Sequence, residues 1–289
     1  MKASRPVSIR EQLDWEARWA KPAAAAAFAA ALFLVVGTIV RQAVALKDNP
    51  DDEREFLIAI DDRAGEFLTS SALQALSFLA LTGVFLYLGR AVFARKPELP
   101  NILLWLGVIG PLLLGLAGVL ADVNRLDIAD RFLAAGAETE KRAEDLLEDR
   151  SVLSTSLGSA GTLALAVAFV LFSINAMRVG LLTRFMGIIG AIVGALYVIP
   201  LLAGPLVVQL VWLLALGVLF LGHWPGGRGP AWATGEAVEW PSGLARQQAL
   251  RGEADDAPAI EAPAPTNGNG TDVAPTRTRT PRKRKKKRR

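Results

Sequence analysis

The chain has 289 residues, 52% of them hydrophobic, and a formal net charge of +4. It contains no cysteine and one histidine, His223, which excludes disulfides, thiolate metal sites, cysteine nucleophiles and multi-histidine metal centres. Ten basic and no acidic residues lie between Arg277 and Arg289; removing those ten from the 32 Lys and Arg leaves 22 against 28 Asp and Glu, so an acidic body carries an intensely basic end.

Residues 1–21 read as a cytoplasmic amphipathic arm. Ser8-Ile-Arg-Glu11 has the spacing of a capping box, and Leu13, Trp15 and Trp19 follow on the helix it would start. Tryptophans just ahead of an apolar block belong at the headgroup level. Apolar residues then arrive in blocks. Crossing a hydrocarbon core of roughly 30 Å takes about 20 of them, and blocks of that kind cover 22–40, 70–89, 101–121 and 151–177.

From Phe185 to Gly227 there is no formally charged residue, a stretch about twice as long as one span needs. Ala203-Gly204-Pro205 is a natural break that divides it into 185–202 and 206–222. The expected fold is therefore all-α: a polytopic bundle of six transmembrane helices over 22–222, with a disordered C-terminal tail over 223–289. Ala43-Val44-Ala45 resembles a leader cleavage site, but Glu11, Asp14 and Glu16 precede the first block and Arg41 interrupts the approach, so a retained first span is expected.

The short connections alternate in charge. Lys2, Arg5, Arg10, Arg18 and Lys21 make the arm basic, as Arg90, Arg95 and Lys96 do the second loop and Arg178 and Arg184 the fourth. The first loop, with Asp48, Asp51, Asp52, Glu53, Glu55, Asp61, Asp62 and Glu66, is acidic, and so is the third, from Asp122 to Arg150. The positive-inside rule then places both termini in the cytoplasm and the two acidic loops outside. Phe56, Ile60, Ala64 and Phe67 predict an amphipathic helix in the first loop. In the third, Asp127/Arg131 and Glu138/Arg142 are helical pairs, with a break expected near Gly136. The run from Asp48 to Glu53 lacks the spacing of a calcium loop and reads as a solvated acidic face.

Lipid provides no hydrophobic drive between helices, so small residues should mark the contacts. Ser154, Gly158, Thr162 and Ala166 recur at every fourth position, Gly190 and Gly194 lie in the fifth block, and Gly107, Gly110, Gly115 and Gly118 in the third. Arg41 and Arg90, at block ends, read as snorkelling residues. Gln74 and Gln209 are isolated, and Asn175 lies close to Arg178. No intramembrane pair of Asp or Glu with Lys or Arg is expected, nor any catalytic residue, metal site or cofactor.

The stretch from Gly252 to Pro281 has too few large hydrophobes to fold alone. The tail's site residues are Arg277, Arg279, Arg282, Lys283, Arg284, Lys285, Lys286, Lys287, Arg288 and Arg289. Each basic residue near an anionic leaflet contributes about 1 kcal/mol, so anionic lipid headgroups rank first as partner, non-specific nucleic acid second.

The Ala/Gly/Leu-rich spans, the turn Leu182-Thr-Arg-Phe-Met-Gly187 and the segment Gly227-Arg-Gly-Pro-Ala-Trp232, continued by Gly235-Glu-Ala and Trp240-Pro241, resemble the uncharacterised six-span integral membrane proteins of high-GC, actinobacterial-type bacteria. That resemblance implies a multi-pass protein of the bacterial inner membrane and brings no catalytic residues. The expected function is accessory, scaffolding or regulatory, without enzymatic activity; the alternative is a small-molecule carrier or channel.

Overall fold

The computed structural model describes residues 8–47, 52–134, 136, 139–148, 152–199, 206–225 and 227–240. The chain divides into two units, Met1–Trp240 and Pro241–Arg289; the second, with all ten tail residues, lies outside the described residues. Among the described residues the regular structure is helical throughout.

α1 (Ile9–Lys47) is one 39-residue helix that runs through Pro22, so the arm and the first apolar block are continuous. The capping box forms: Ser8 N donates to Glu11 Oε2 at 3.0 Å and Glu11 N to Ser8 Oγ at 3.2 Å. α2 (Glu53–Asp62) is capped by Asp52, whose carboxylate accepts from Glu55 N at 2.8 Å. α3 (Ala64–Arg95) follows after a break at Arg63, so Phe56 and Ile60 lie on α2 while Ala64 and Phe67 open α3. α4 (Ile102–Ala134) continues across Pro111 and past the end of its apolar block, carrying Asp122 and the Asp127–Arg131 pair in its last turns.

Gly136, at φ 92°, makes the expected break, and α5 (Glu140–Glu148) follows. Arg142 of α5 donates to the carbonyls of Phe132 and Arg131 at the end of α4, at 2.8 and 3.0 Å. α6 (Val152–Arg178), α7 (Arg184–Val198), α8 (Leu206–Phe220) and the one-turn α9 (Pro230–Thr234) complete the fold. Ala203, Gly204, Pro205 and Pro200 lie outside the described residues.

Among the described residues, four helices are long and apolar enough to cross a membrane: Ile9–Val44, Ala64–Arg95, Ile102–Ala134 and Val152–Arg178. α7 and α8 are apolar but only 15 residues each, about 22 Å at 1.5 Å per residue. Length and composition thus give four candidate spans and two shorter apolar helices.

Packing runs through small residues. Ala20, Ala23, Ala24, Ala27, Ala30 and Ala31 form a buried stripe on α1, which lies against α3. Ser77 Oγ of α3 donates to the carbonyl of Ala30 at 2.8 Å. α4 and α6 approach closely at Gly110 and Gly161. A Cβ on Gly110 would lie 2.8 Å from Leu165 N, and one on Gly161 the same distance from Leu114 N. Gly194 of α7 presses on the Ala166 carbonyl of α6 in the same way. Gly158 makes only ordinary contact with Ala117, and Gly118 is exposed with nothing near it, so two of the expected small residues do not mark tight crossings.

Two clusters result. The larger gathers α1, α3, α6, α7 and α8 around Phe85, Phe169, Phe172 and Trp212. The smaller closes the far end of α1 with α2, α4 and α5 through Leu57, Ile60, Phe67, Ile128 and Phe132.

Because the nearest atom facing Gly161 is backbone and cannot yield, Gly161→Ala should destabilise the fold by about 1–3 kcal/mol and lower the thermal unfolding midpoint in detergent. Gly158→Ala, whose new methyl meets Ala117 at 3.7 Å, should leave the midpoint unchanged.

Candidate functional sites: two buried ion pairs

The α1 stripe of alanines, extended backwards in steps of three and four, reaches Glu16 and Gln12 on the same face. Both are buried, Glu16 at 2% exposure. Glu16 meets Arg95, the last residue of α3, whose side chain is also fully enclosed. The pairing is two-pronged, Nη1 to Oε1 at 2.5 Å and Nη2 to Oε2 at 3.0 Å. Gln12 Nε2 donates to Glu16 Oε1 at 2.9 Å. Arg95 also donates to the Ala231 carbonyl, from Nε at 3.2 Å and Nη2 at 2.6 Å.

Ala231 belongs to the segment after α8. The tail was expected to begin at 223; instead the chain packs back against the helices as far as Trp240. The cause is a desolvated guanidinium that draws in a backbone carbonyl, together with aromatic stacking. The Trp232 ring stacks on Tyr87 at 5.7 Å, lies beneath both Arg95 and Arg228, and donates from Nε1 to the Leu181 carbonyl at 3.0 Å. Tyr87 donates to the Glu16 carbonyl at 3.1 Å and accepts from Arg228 at 3.2 Å. Gly180, at φ 79°, lets the Val238 carbonyl pass where any side chain would collide. We call residues 224–240 the strap. Trp15 stacks on Tyr87 at 5.6 Å beneath Arg90, while Trp19 stays half-exposed.

The second pair closes the opposite end. Arg41 of α1 is not a snorkelling residue: its guanidinium pairs with Asp122 of α4, which is 2% exposed although it was expected in a solvated loop. Asp122 also accepts from the Ser71 hydroxyl of α3 and from Arg125 Nη1. Four donor atoms from three helices thus surround one carboxylate, which makes its burial tolerable. Phe67 lies under Arg41 at 5.0 Å. Neither pairing was expected from the sequence, where Arg41 reads as snorkelling and Asp122 as part of an acidic outer loop. The partners stand 79 and 81 residues apart, beyond local pattern. The available signal was that Glu16 extends the alanine stripe and that Asp122 stands seven residues beyond buried Gly115, on the same helix face.

About 25 residues of helix separate the two pairs along α1, roughly 38 Å. That separation exceeds the roughly 30 Å thickness of a hydrocarbon core. Two of the other polar residues noted in the apolar blocks have partners. Gln209 accepts from Tyr197 Oη at 2.8 Å, and Asn175 Oδ1 accepts from Lys96 Nζ at 3.3 Å.

Beside Asp122 opens a cleft of about 970 Å³, lined among others by Glu53, Asn124, Arg125, Glu144, Glu148 and Thr155. Glu53, Glu144 and neighbouring Glu140 hold carboxylate oxygens within 4.8 Å of one another, close enough to share a cation, and all three are exposed. No family model matches the chain, and no curated protein or solved structure matches it.

Glu16→Leu alone strands a buried guanidinium and should cost about 3–5 kcal/mol in thermal unfolding. Glu16→Leu with Arg95→Met should recover part of that loss, which a double-mutant cycle measures.

Asp61 of α2 faces Asp130 of α4, and partial burial, a hydrogen bond from one carboxyl to the other and their repulsion hold the Asp61 carboxyl above its ordinary value. A raised carboxyl favours the docked state at low pH: its contribution is complete below the ordinary carboxylate range and fades as pH rises through the raised value. Hydrogen exchange at 53–62, corrected for intrinsic rate, should slow on acidification through that window, and Asp61→Asn should abolish the change.

Proposed function

We propose that the chain is a non-enzymatic integral membrane protein of the bacterial inner membrane, crossing it six times with both termini in the cytoplasm. In this reading it acts as an accessory, scaffolding or regulatory component whose Arg277–Arg289 run binds anionic lipid headgroups. The resemblance to the six-span membrane proteins of high-GC bacteria points the same way.

The single observation that best supports this is the strap. Clamped by Arg95 and Trp232, it fixes the point at Trp240 from which the tail departs, at the end of the bundle where Arg90, Lys96, Arg178 and Arg184 gather. A basic end of this kind faces the cytoplasm under the positive-inside rule, and so faces an anionic leaflet. α7 and α8 would supply the fifth and sixth crossings, with the bilayer accommodating their shortness. The enclosed aromatic core suits a braced scaffold better than an enzyme.

The second reading, a small-molecule carrier or channel, draws on the acid-lined cleft beside Arg125. It would require that cleft to connect with the opposite end of the bundle.

A peptide covering 241–289 should float with liposomes in proportion to their anionic lipid and dissociate as salt rises toward 0.5–1 M, where exposed charges are screened. Neutralising the ten basic residues should remove binding. Retention at high salt, or a stronger preference for RNA than for anionic liposomes, would overturn the lipid assignment.

A further inference from the structure

At the strap end of the bundle a cation is held in place without being paired. Arg90 closes the apolar block of α3, is exposed, and lays its guanidinium over the Trp15 ring of α1 at 4.1 Å. Such a contact fixes the direction of the guanidinium while leaving its N–H donors open. Among the described residues no carboxylate pairs with it. The acids of the neighbouring arm are committed elsewhere. Glu16 holds Arg95 and Glu11 closes the capping box, while Asp14 lies on the α1 face that carries Arg10 and Arg18 four residues to either side.

An indole stands beside this cation. Trp19, one turn nearer the first apolar block, has its ring 6.5 Å from that of Trp15 and is 48% exposed. On the membrane side of Arg90, Leu86, Gly83 and Leu79 recede along α3 in steps of four, three and four, so all four residues share one face. Leu86 and Leu79 are exposed at 44% and 56%, and α1 approaches beside them at Gly83, where a Cβ would stand 3.6 Å from that of Ala26. Open donors at the end of the apolar block thus give way to exposed aliphatic side chains over about 16 Å of helix. That is the order of a lipid, phosphate first and chain below, and on the outer surface of the bundle it requires no cavity.

We propose that Arg90, oriented by Trp15, and Trp19 form a surface site for the phosphate of an anionic phospholipid in the inner leaflet, with one acyl chain along Leu86 and Leu79. The site rests on the reading of the long helices as spans and of this end as cytoplasmic. It uses none of the tail's cations, so either assignment can fail without the other.

The experiment is native mass spectrometry of the full-length protein, its ten tail cations neutralised, after equilibration in mild detergent with phosphatidylglycerol or phosphatidylcholine. The first phosphatidylglycerol should bind more tightly than the first phosphatidylcholine. Arg90→Gln should weaken phosphatidylglycerol about fivefold and bring the two lipids level. Trp19→Ala should weaken both lipids. Arg184→Gln, which removes another exposed cation at the same end, should bind both as the parent does. Glycerol phosphate, which has the anion without the chain, should not displace the lipid. The assignment is overturned by equal binding of the two lipids to the parent, by displacement with glycerol phosphate, by Arg90→Gln or Trp19→Ala proteins that bind like the parent, or by a loss in Arg184→Gln as large as that in Arg90→Gln. Should Arg90→Gln fail to fold, Trp19→Ala and the comparison of the two lipids on the parent decide.

Discussion

Arg95 has no water to solvate it, and one end of the molecule is arranged around that fact. A guanidinium carries five donors in a fixed fork, and burying it is tolerable only when a carboxylate and further acceptors converge on it. Glu16 comes from the first helix and the Ala231 carbonyl from the strap after the eighth. Three parts of the chain are thereby tied together at one point. The aromatic stack of Trp15, Tyr87 and Trp232 is the apolar half of the same arrangement, excluding the water that would weaken the pair.

The opposite end solves the same problem with different parts. Asp122 is the buried charge there, and the donors come from Arg41, Ser71 and Arg125. Between the ends, helices associate through glycines and alanines and through Phe85, Phe169 and Trp212, where lipid supplies no hydrophobic drive and shape has to do the work. Small contacts hold the middle of the bundle, and charge closes its ends.

The sequence was most legible where the determinant is local. The apolar blocks announce the long helices, the Ser8–Glu11 spacing announces the start of α1, and Gly136 announces the break before α5. It was less legible where an apolar block ends in charge, because the helix continues past the block. α4 runs thirteen residues beyond its apolar block, to Ala134, because Asp122 is neutralised by partners in other helices. The strap was illegible for a related reason. Its glycines, prolines and scattered tryptophans look like the opening of an unstructured tail, and what orders them is a carbonyl acceptor and a stacking face offered by α3. The tail residues themselves remain a reading of composition and charge.

The strap also sets an order of events in time. A chain is made from its N-terminus and its early segments settle first. Glu16 and Arg95 leave the ribosome long before Ala231, so the earliest helices must wait with Arg95 short of an acceptor until the last helix is in place. Closure of that end therefore reports that synthesis has reached the strap. A chain interrupted after α8 would keep every candidate span and the Glu16–Arg95 pair, yet leave Arg95 without its Ala231 acceptor and one face of Tyr87 uncovered.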